Sequence, residues 1–189
     1  MPRHISFALQ PEARGLADAI RLGRDFAASA PLVVALADNL FVGDTPAVEQ
    51  VLDTHRRAAC SVVGVVEILA SEAARRGATA ALPGRLDGDA FRIERIPDKG
   101  ARTATFDTGG APSAYTAVGR YVFDPEVFAA IDDAERALDP GAELDDVPVM
   151  QRLLARGRLV GRRIRGQFLD VGLPQGYAEA NELLVEPPE

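Results

Sequence analysis

The segment Pro31-Leu32-Val33-Val34-Ala35-Leu36-Ala37 stops abruptly at Asp38-Asn39. It is apolar without alternation, which predicts a strand buried on both faces, as in a parallel sheet covered by helices. In open α/β sheets, ligands gather just beyond the carboxyl ends of such strands. Asp38 is therefore placed to hold a divalent metal over a phosphorylated ligand. A turn or N-cap carboxylate would be spelled the same way.

The rest of the chain supports an α/β layered reading. Residues 5–10 form a short strand-like run, and Gly15 opens a helix that ends before Pro31. Val48, Val51, Leu52 and His55 recur at helical spacing,. Residues 61–68 are a second apolar strand, and 72–76 a helical turn ending at Gly77,. Asp87-Gly88 is a hairpin signal between short alternating strands,. Residues 100–114, rich in Gly, Thr, Ala and Pro, read as a loop,. Val118 to Phe123 is a strand, Pro125 opens a helix, and Val149 to Arg156 is another. Leu159 to Arg165 alternates as a strand. A last strand ends at a second aspartate, Asp170, and a helix follows from Pro174. Asp38 and Asp170 can share one edge of one sheet. The expected organisation is a single domain over 1–189, divided at about residue 77.

Composition narrows the chemistry. With 189 residues the chain can bury a substantial core,. A net charge of −7 argues against nucleic acid as a partner,. Two histidines and one cysteine argue against zinc, whereas carboxylate ligation of magnesium stays open,. Cys60 sits in an apolar segment and reads as a small buried residue. No apolar run reaches the ~18–20 residues of a membrane span, and no signal-peptide pattern follows Met1. A cytoplasmic protein is expected. Among twenty-one basic residues only Lys99 is a lysine, the one compact cationic point charge,.

Four segments, in order along almost the whole chain, resemble the sugar-1-phosphate nucleotidyltransferases, nearest to their thymidylyl- and uridylyltransferase branches. Gln10 followed by Gly15-Leu16-Ala17-Asp18-Ala19 is similar to the family's Q-x-x-x-x-G-L-A-x-A. Leu36-Ala37-Asp38-Asn39-Leu40-Phe41-Val42-Gly43 resembles L-G-D-N-x-F-x-G. Gly119-Arg120-Tyr121-Val122-Phe123 looks like its G-x-Y-x-F strand. Asp170-Val171-Gly172 with Pro174, Ala180 and Asn181 resembles its D-x-G-x-P ending in A-N.

The resemblance implies a Rossmann-like, glycosyltransferase-A-like fold. It also implies transfer of a nucleotidyl group from dTTP or UTP to a sugar 1-phosphate, with glucose 1-phosphate the expected acceptor, and release of pyrophosphate. By the same resemblance Gln10 and Gly15 contact the base, and Asp38 and Asp170 ligate Mg2+. Lys99 contacts the sugar phosphate, Asp98 stands at the sugar-binding Glu, and Gly77 and Gly119 lie near the sugar.

The family's opening glycine-rich phosphate loop, G-G-x-G-T-R-L, is not spelled in these residues. Ser113-Ala114 stands where the family has Ser-Asn, which removes an amide. In a doubly wound sheet the strand before that loop is central. The expectations are that the chain alone releases no pyrophosphate, and that a long apolar edge is exposed unless a partner chain or a second copy covers it. A degenerate, non-catalytic binding module is the alternative to an enzyme.

Overall fold

The computed structural model describes residues 5–69, 80–98 and 112–184, with backbone alone for 80–87. The elements run α1 (Leu16–Arg21), α2 (Arg24–Ala27), β1 (Leu32–Ala35), β2 (Asn39–Val42), α3 (Ala47–Ala58) and β3 (Ser61–Leu69). They continue with β4 (Ala80–Asp87), β5 (Ala90–Arg95), β6 (Ser113–Phe123), α4 (Glu126–Arg136), α5 (Asp146–Ala155), β7 (Leu159–Arg163), β8 (Gln167–Asp170) and α6 (Pro174–Leu184). The helical turn expected at 72–76 lies outside the described residues. So does most of the expected loop at 100–114, whose last residues, Ser113 and Ala114, begin β6.

The strands form a mixed sheet in the order β1-β6-β3-β7-β5-β4, and β2 and β8 form a separate ribbon. β3 runs parallel to β7 and antiparallel to β6. Alternation along the central strands feeds two cores. Val63, Val65, Tyr121 and Phe123 pack with α1, α2, α4 and α5 on one face. Val62, Val118 and Val122 pack with α3 on the other, where Phe41 and Phe168 of the ribbon also lie. The expected α/β layering is therefore present, and the run from Ser61 is the strand buried on both sides.

β1 departs from its expected role. Among the described residues it pairs only with β6, antiparallel, and so forms an edge of the sheet. Its side chains alternate between half-buried and exposed, and Val33 is exposed. A continuous apolar run does not reveal which side of a strand will find a neighbour. Residues 5–10 are not a strand either, because no described strand offers them a ladder partner. Ile5, Phe7 and Leu9 are exposed along this stretch. β1 presents a four-residue edge on which Val33 is exposed.

α3 is rotated relative to its expected face. Ala47, Gln50, Val51 and Thr54 are buried, rather than Val48, Leu52 and His55. Gln50 enters the core because both ends of its amide are satisfied there. Its Nε2 donates to Thr45 O at 3.0 Å and Arg165 O at 2.8 Å, and its Oε1 accepts from Arg165 N at 2.9 Å. A fully paired amide is tolerated inside where an unpaired one is not. The helix stops at Ala59, which takes the left-handed conformation (φ 49°).

The β4–β5 hairpin forms where Asp87-Gly88 predicts it, with Gly88 at φ 66°. Its turn carries Asp89, whose side chain is buried against β7 and the residues that follow it. Asp89 accepts from Arg165 Nε at 2.6 Å and Arg163 at 3.3 Å, with Arg162 at 3.7 Å. Burial pushes its pKa up, but the hydrogen bonds from Arg163 and Arg165 and the nearby arginine charges outweigh it and hold the carboxyl below its ordinary value. A lowered folded-state pKa contributes stability above the unfolded value of about 3.9, and that contribution is lost as pH falls through the folded value. Asp89→Asn is therefore expected to lower stability at neutral pH and flatten its decline below about pH 4. Urea unfolding across that range checks this. An acid limb identical to the parent's would contradict it.

Candidate functional site

The β2–β8 ribbon builds the site. After β1 the chain turns through Leu36, Ala37 and Asp38 into β2, and Leu36 N donates to Gly119 O at 2.9 Å. β8 pairs antiparallel with β2, placing Asn39 opposite Asp170. Val171 N donates to Asp38 O at 2.9 Å, locking the two chain segments together. Asp38 and Asp170 thus become neighbours, on the ribbon rather than on the main sheet.

Their carboxylates converge over Gly172. A Cβ built on Gly172 would lie 3.0 Å from Asp38 Oδ2 and 3.2 Å from Asp170 Oδ1. A side chain at Gly172 would fill the space that both oxygens face. Asp38 Oδ1 accepts from Asn39 Nδ2 at 2.8 Å, and Asp170 Oδ1 from Gly172 N at 3.2 Å. Two hard carboxylate oxygen donors are of the type that suits Mg2+, which Asp38 and Asp170 would hold. Among the described residues no group of three or more His, Cys, Asp or Glu side chains is gathered as a metal site. The donor set fits magnesium sharing its shell with substrate, and not a closed all-protein cage.

Gly119 adjoins this turn. It is buried at φ 59°, and a Cβ there would meet Asn39 Oδ1 and Leu36 Cβ, each at 2.8 Å. Glycine is required both by the left-handed backbone and by the close approach. Arg120 is a site residue the sequence reading missed. Its guanidinium donates to Leu36 O at 2.8 Å, to Gly119 O at 2.9 Å and to Asn39 O, and lies over the Phe41 ring. Burial pulls its pKa below the ordinary arginine value, and the negative charge of Asp38 opposes that. Its one available signal was an arginine inside an otherwise apolar strand.

Gln10 and Gly15 form a second cluster. Gln10 Nε2 donates to Gly15 O at 3.2 Å and to Asp18 Oδ2 at 2.8 Å. Gly15 caps α1 at φ 110°, and a Cβ there would meet Leu144 O at 2.5 Å. This glycine is therefore needed to seat α1 against the segment leading into α5, whatever it contacts besides. Asp98 joins neither cluster among the described residues. Gln151 Nε2, from α5, donates to Asp98 Oδ1 at 2.8 Å and to Ile96 O at 2.9 Å. Gly77 and Lys99 lie outside the described residues.

The profile of the family described as Nucleotidyl transferase matches residues 3–186. The chain belongs to the nucleotidyl transferase family. A putative UTP–glucose-1-phosphate uridylyltransferase of Bacillus subtilis (strain 168) is 29% identical over 174 residues, covering 92% of this chain and 60% of that protein. A UTP–glucose-1-phosphate uridylyltransferase of Staphylococcus epidermidis (strain RP62A) is 27% identical, covering 98% of this chain and 62% of that protein. This nucleotidyl transferase chain thus spans about three fifths of the length of these curated relatives. Among solved structures, an apo UDP-glucose pyrophosphorylase superposes with TM-score 0.81 at 23% identity, over 94% of this chain and 62% of the other. A putative glucose-1-phosphate thymidylyltransferase from Bacillus anthracis superposes with TM-score 0.70 at 22% identity, over 97% and 67%. These likenesses establish the nucleotidyl transferase fold. No helix among the described residues is long and apolar enough to cross a membrane.

Proposed function

We propose that the chain serves cytoplasmic nucleotidyl transfer from UTP or dTTP to glucose 1-phosphate, giving an NDP-glucose and pyrophosphate. The observation that carries this reading is the convergence of Asp38 and Asp170 over Gly172. The names of the relatives, which are uridylyl- and thymidylyltransferases, support the substrate pair.

In this reaction the sugar phosphate oxygen attacks the α-phosphorus of the triphosphate, and the bond to pyrophosphate breaks. No covalent enzyme nucleophile is required. Two polyanions must be brought together, and positioning with charge neutralisation does most of the work. Asp38 and Asp170 would hold Mg2+, which neutralises phosphate charge when bound. Arg120 holds the Asp38–Asn39 turn in place through its three carbonyl contacts, and Gly119 lets β6 pack closely against that turn. Gln10 and Gly15 contact the base. Lys99 neutralises the sugar phosphate, and Asp98, with Gly77 nearby, contacts the sugar.

The test follows pyrophosphate release from UTP or dTTP, glucose 1-phosphate and MgCl2. It uses the chain alone and the chain joined to a family glycine-rich loop. The expected result is release that requires the joined loop and falls about a hundredfold or more in Asp170→Asn, as befits the loss of a metal ligand. No release in either form, with UDP-glucose still bound, would assign the chain a binding role instead of catalysis.

A further inference from the structure

Gln10 is the side chain assigned above to the base, and an amide can present either a donor or an acceptor. Which one it presents is decided by what holds its other end. Here Nε2 is directed at two groups that can only accept, the carbonyl of Gly15 at 3.2 Å and the carboxylate of Asp18 at 2.8 Å. Reversing the amide would set oxygen against oxygen at both contacts. Both Nε2 hydrogens are committed, and among the described residues Oε1 takes no hydrogen bond.

Asp18 is itself immobilised. Its side chain is 5% exposed, and its other oxygen, Oδ1, faces Arg21 in an ion pair, with Arg14 Nη1 at 4.0 Å. Glu135 of α4 holds the same two arginines, at 2.9 Å from Arg21 and 3.1 Å from Arg14. The orientation of the Gln10 amide is therefore anchored to the body of the fold through a buried charge and two arginines. A local turn would need no such arrangement.

We propose that Asp18 is a positioning residue that locks Gln10 with Oε1 toward the base, so that the site accepts pyrimidines carrying an N3–H and rejects cytosine. Uracil and thymine offer that N–H donor to Oε1. Cytosine offers an unprotonated N3, which would face Oε1 lone pair to lone pair. Leaving a polar pair unmade or opposed costs far more than a missing apolar contact. This inference rests on the assignment of Gln10 to the base.

Asp18→Asn separates the two ideas. Arg21 and Arg14 can only donate, so the Asn oxygen must take the position of Oδ1 and its NH2 the position of Oδ2. That NH2 then confronts Gln10 Nε2 and drives the amide to turn over, while Gly15 O resists the turn. The UTP-over-CTP preference is expected to fall at least about tenfold, with Gln10→Ala losing it to a similar degree. Dissociation constants for UTP, dTTP and CTP are measured by calorimetry on the full chain and both variants. If Gln10→Ala loses the preference and Asp18→Asn keeps it, the locking role is wrong and the base contact stands. If the parent shows no preference, or Gln10→Ala retains it, the base assignment falls and this inference with it. Should Asp18→Asn fail to fold, the parent protein decides by NMR. Slow solvent exchange of both Gln10 amide protons is expected, and fast exchange overturns the proposal.

Discussion

Asp38→Asn combined with Asp170→Asn is expected to abolish magnesium-dependent stabilisation while making the metal-free protein more stable. The two carboxylates face one small space over Gly172. Without a cation they repel one another, and although the Arg120 charge attracts Asp38, its guanidinium donates to carbonyls and to neither carboxylate. Asparagine keeps the shape and the Asn39 and Gly172 contacts as possibilities, and removes the repulsion. On the proposed assignment magnesium binds the folded arrangement only and so stabilises by mass action. At a concentration a hundred times its Kd that amounts to about 2.7 kcal/mol. For a chain of this length, such a gain raises Tm by about 5–10 °C. The parent should show this rise on adding MgCl2, and the double variant none, from a higher starting Tm in chelator. Calorimetric melts with and without magnesium measure both. Equal magnesium shifts in the two proteins would remove these aspartates from the metal site.

Gly176→Ala is expected to damage the same site from outside it. Gly176 lies in the first half of α6, directly against the end of β8. A Cβ there would sit 2.1 Å from Asp170 O and 2.7 Å from its carbonyl carbon. Both are backbone atoms, which cannot rotate aside, so either α6 or Asp170 has to move. Overpacking of this kind costs about 1–3 kcal/mol, offset by up to about 1 kcal/mol from the better helix propensity of alanine. The net loss of stability is therefore modest, at most about 3 kcal/mol. The displacement, however, falls on the residue that shares the cradle with Asp38. Magnesium affinity is expected to drop about tenfold or more, since ligand placement within about 0.5 Å governs such sites. Denaturant unfolding gives the first quantity and a magnesium titration the second. Unchanged magnesium binding at parental stability would mean that α6 does not position Asp170.

Several features of this site were legible in the sequence because they are local. Asp38 and Asp170 each end a short apolar run, and strand ends are where sheets present ligand groups. Gln10 and Gly15 lie within one turn and the helix it opens, and the structure brings them into contact. Asp87-Gly88 specified its hairpin for the same reason. Features that depend on a distant partner were not legible. Arg120 acts through carbonyls of the β1–β2 turn, which periodicity along β6 does not mention. Gly176 matters only because β8 stops beneath it. Gln50 joins Val51 on the buried face of α3, leaving Val48 and Leu52 half-buried at its margin, because the backbone at Arg165 pairs with its amide. Asp98 is held by Gln151, from an element far along the chain.

The amino-acid sequence by itself determined the α/β class, most of the helices and strands, and the candidate carboxylates. Each of these follows from residue types at fixed local spacing, through burial of one face and closure of short hydrogen-bonded turns. The tertiary structure alone decided which of those groups meet. Asp38 and Asp170 share a cradle because β8 pairs with β2 in the register that sets Asn39 opposite Asp170. A shift of one residue would carry Asp170 to the other face of the ribbon. That register is set by packing Phe168 against Phe41 and by the bond from Val171 to Asp38. Such contacts between remote segments have no local signature, because their free energy appears only once the intervening chain has folded.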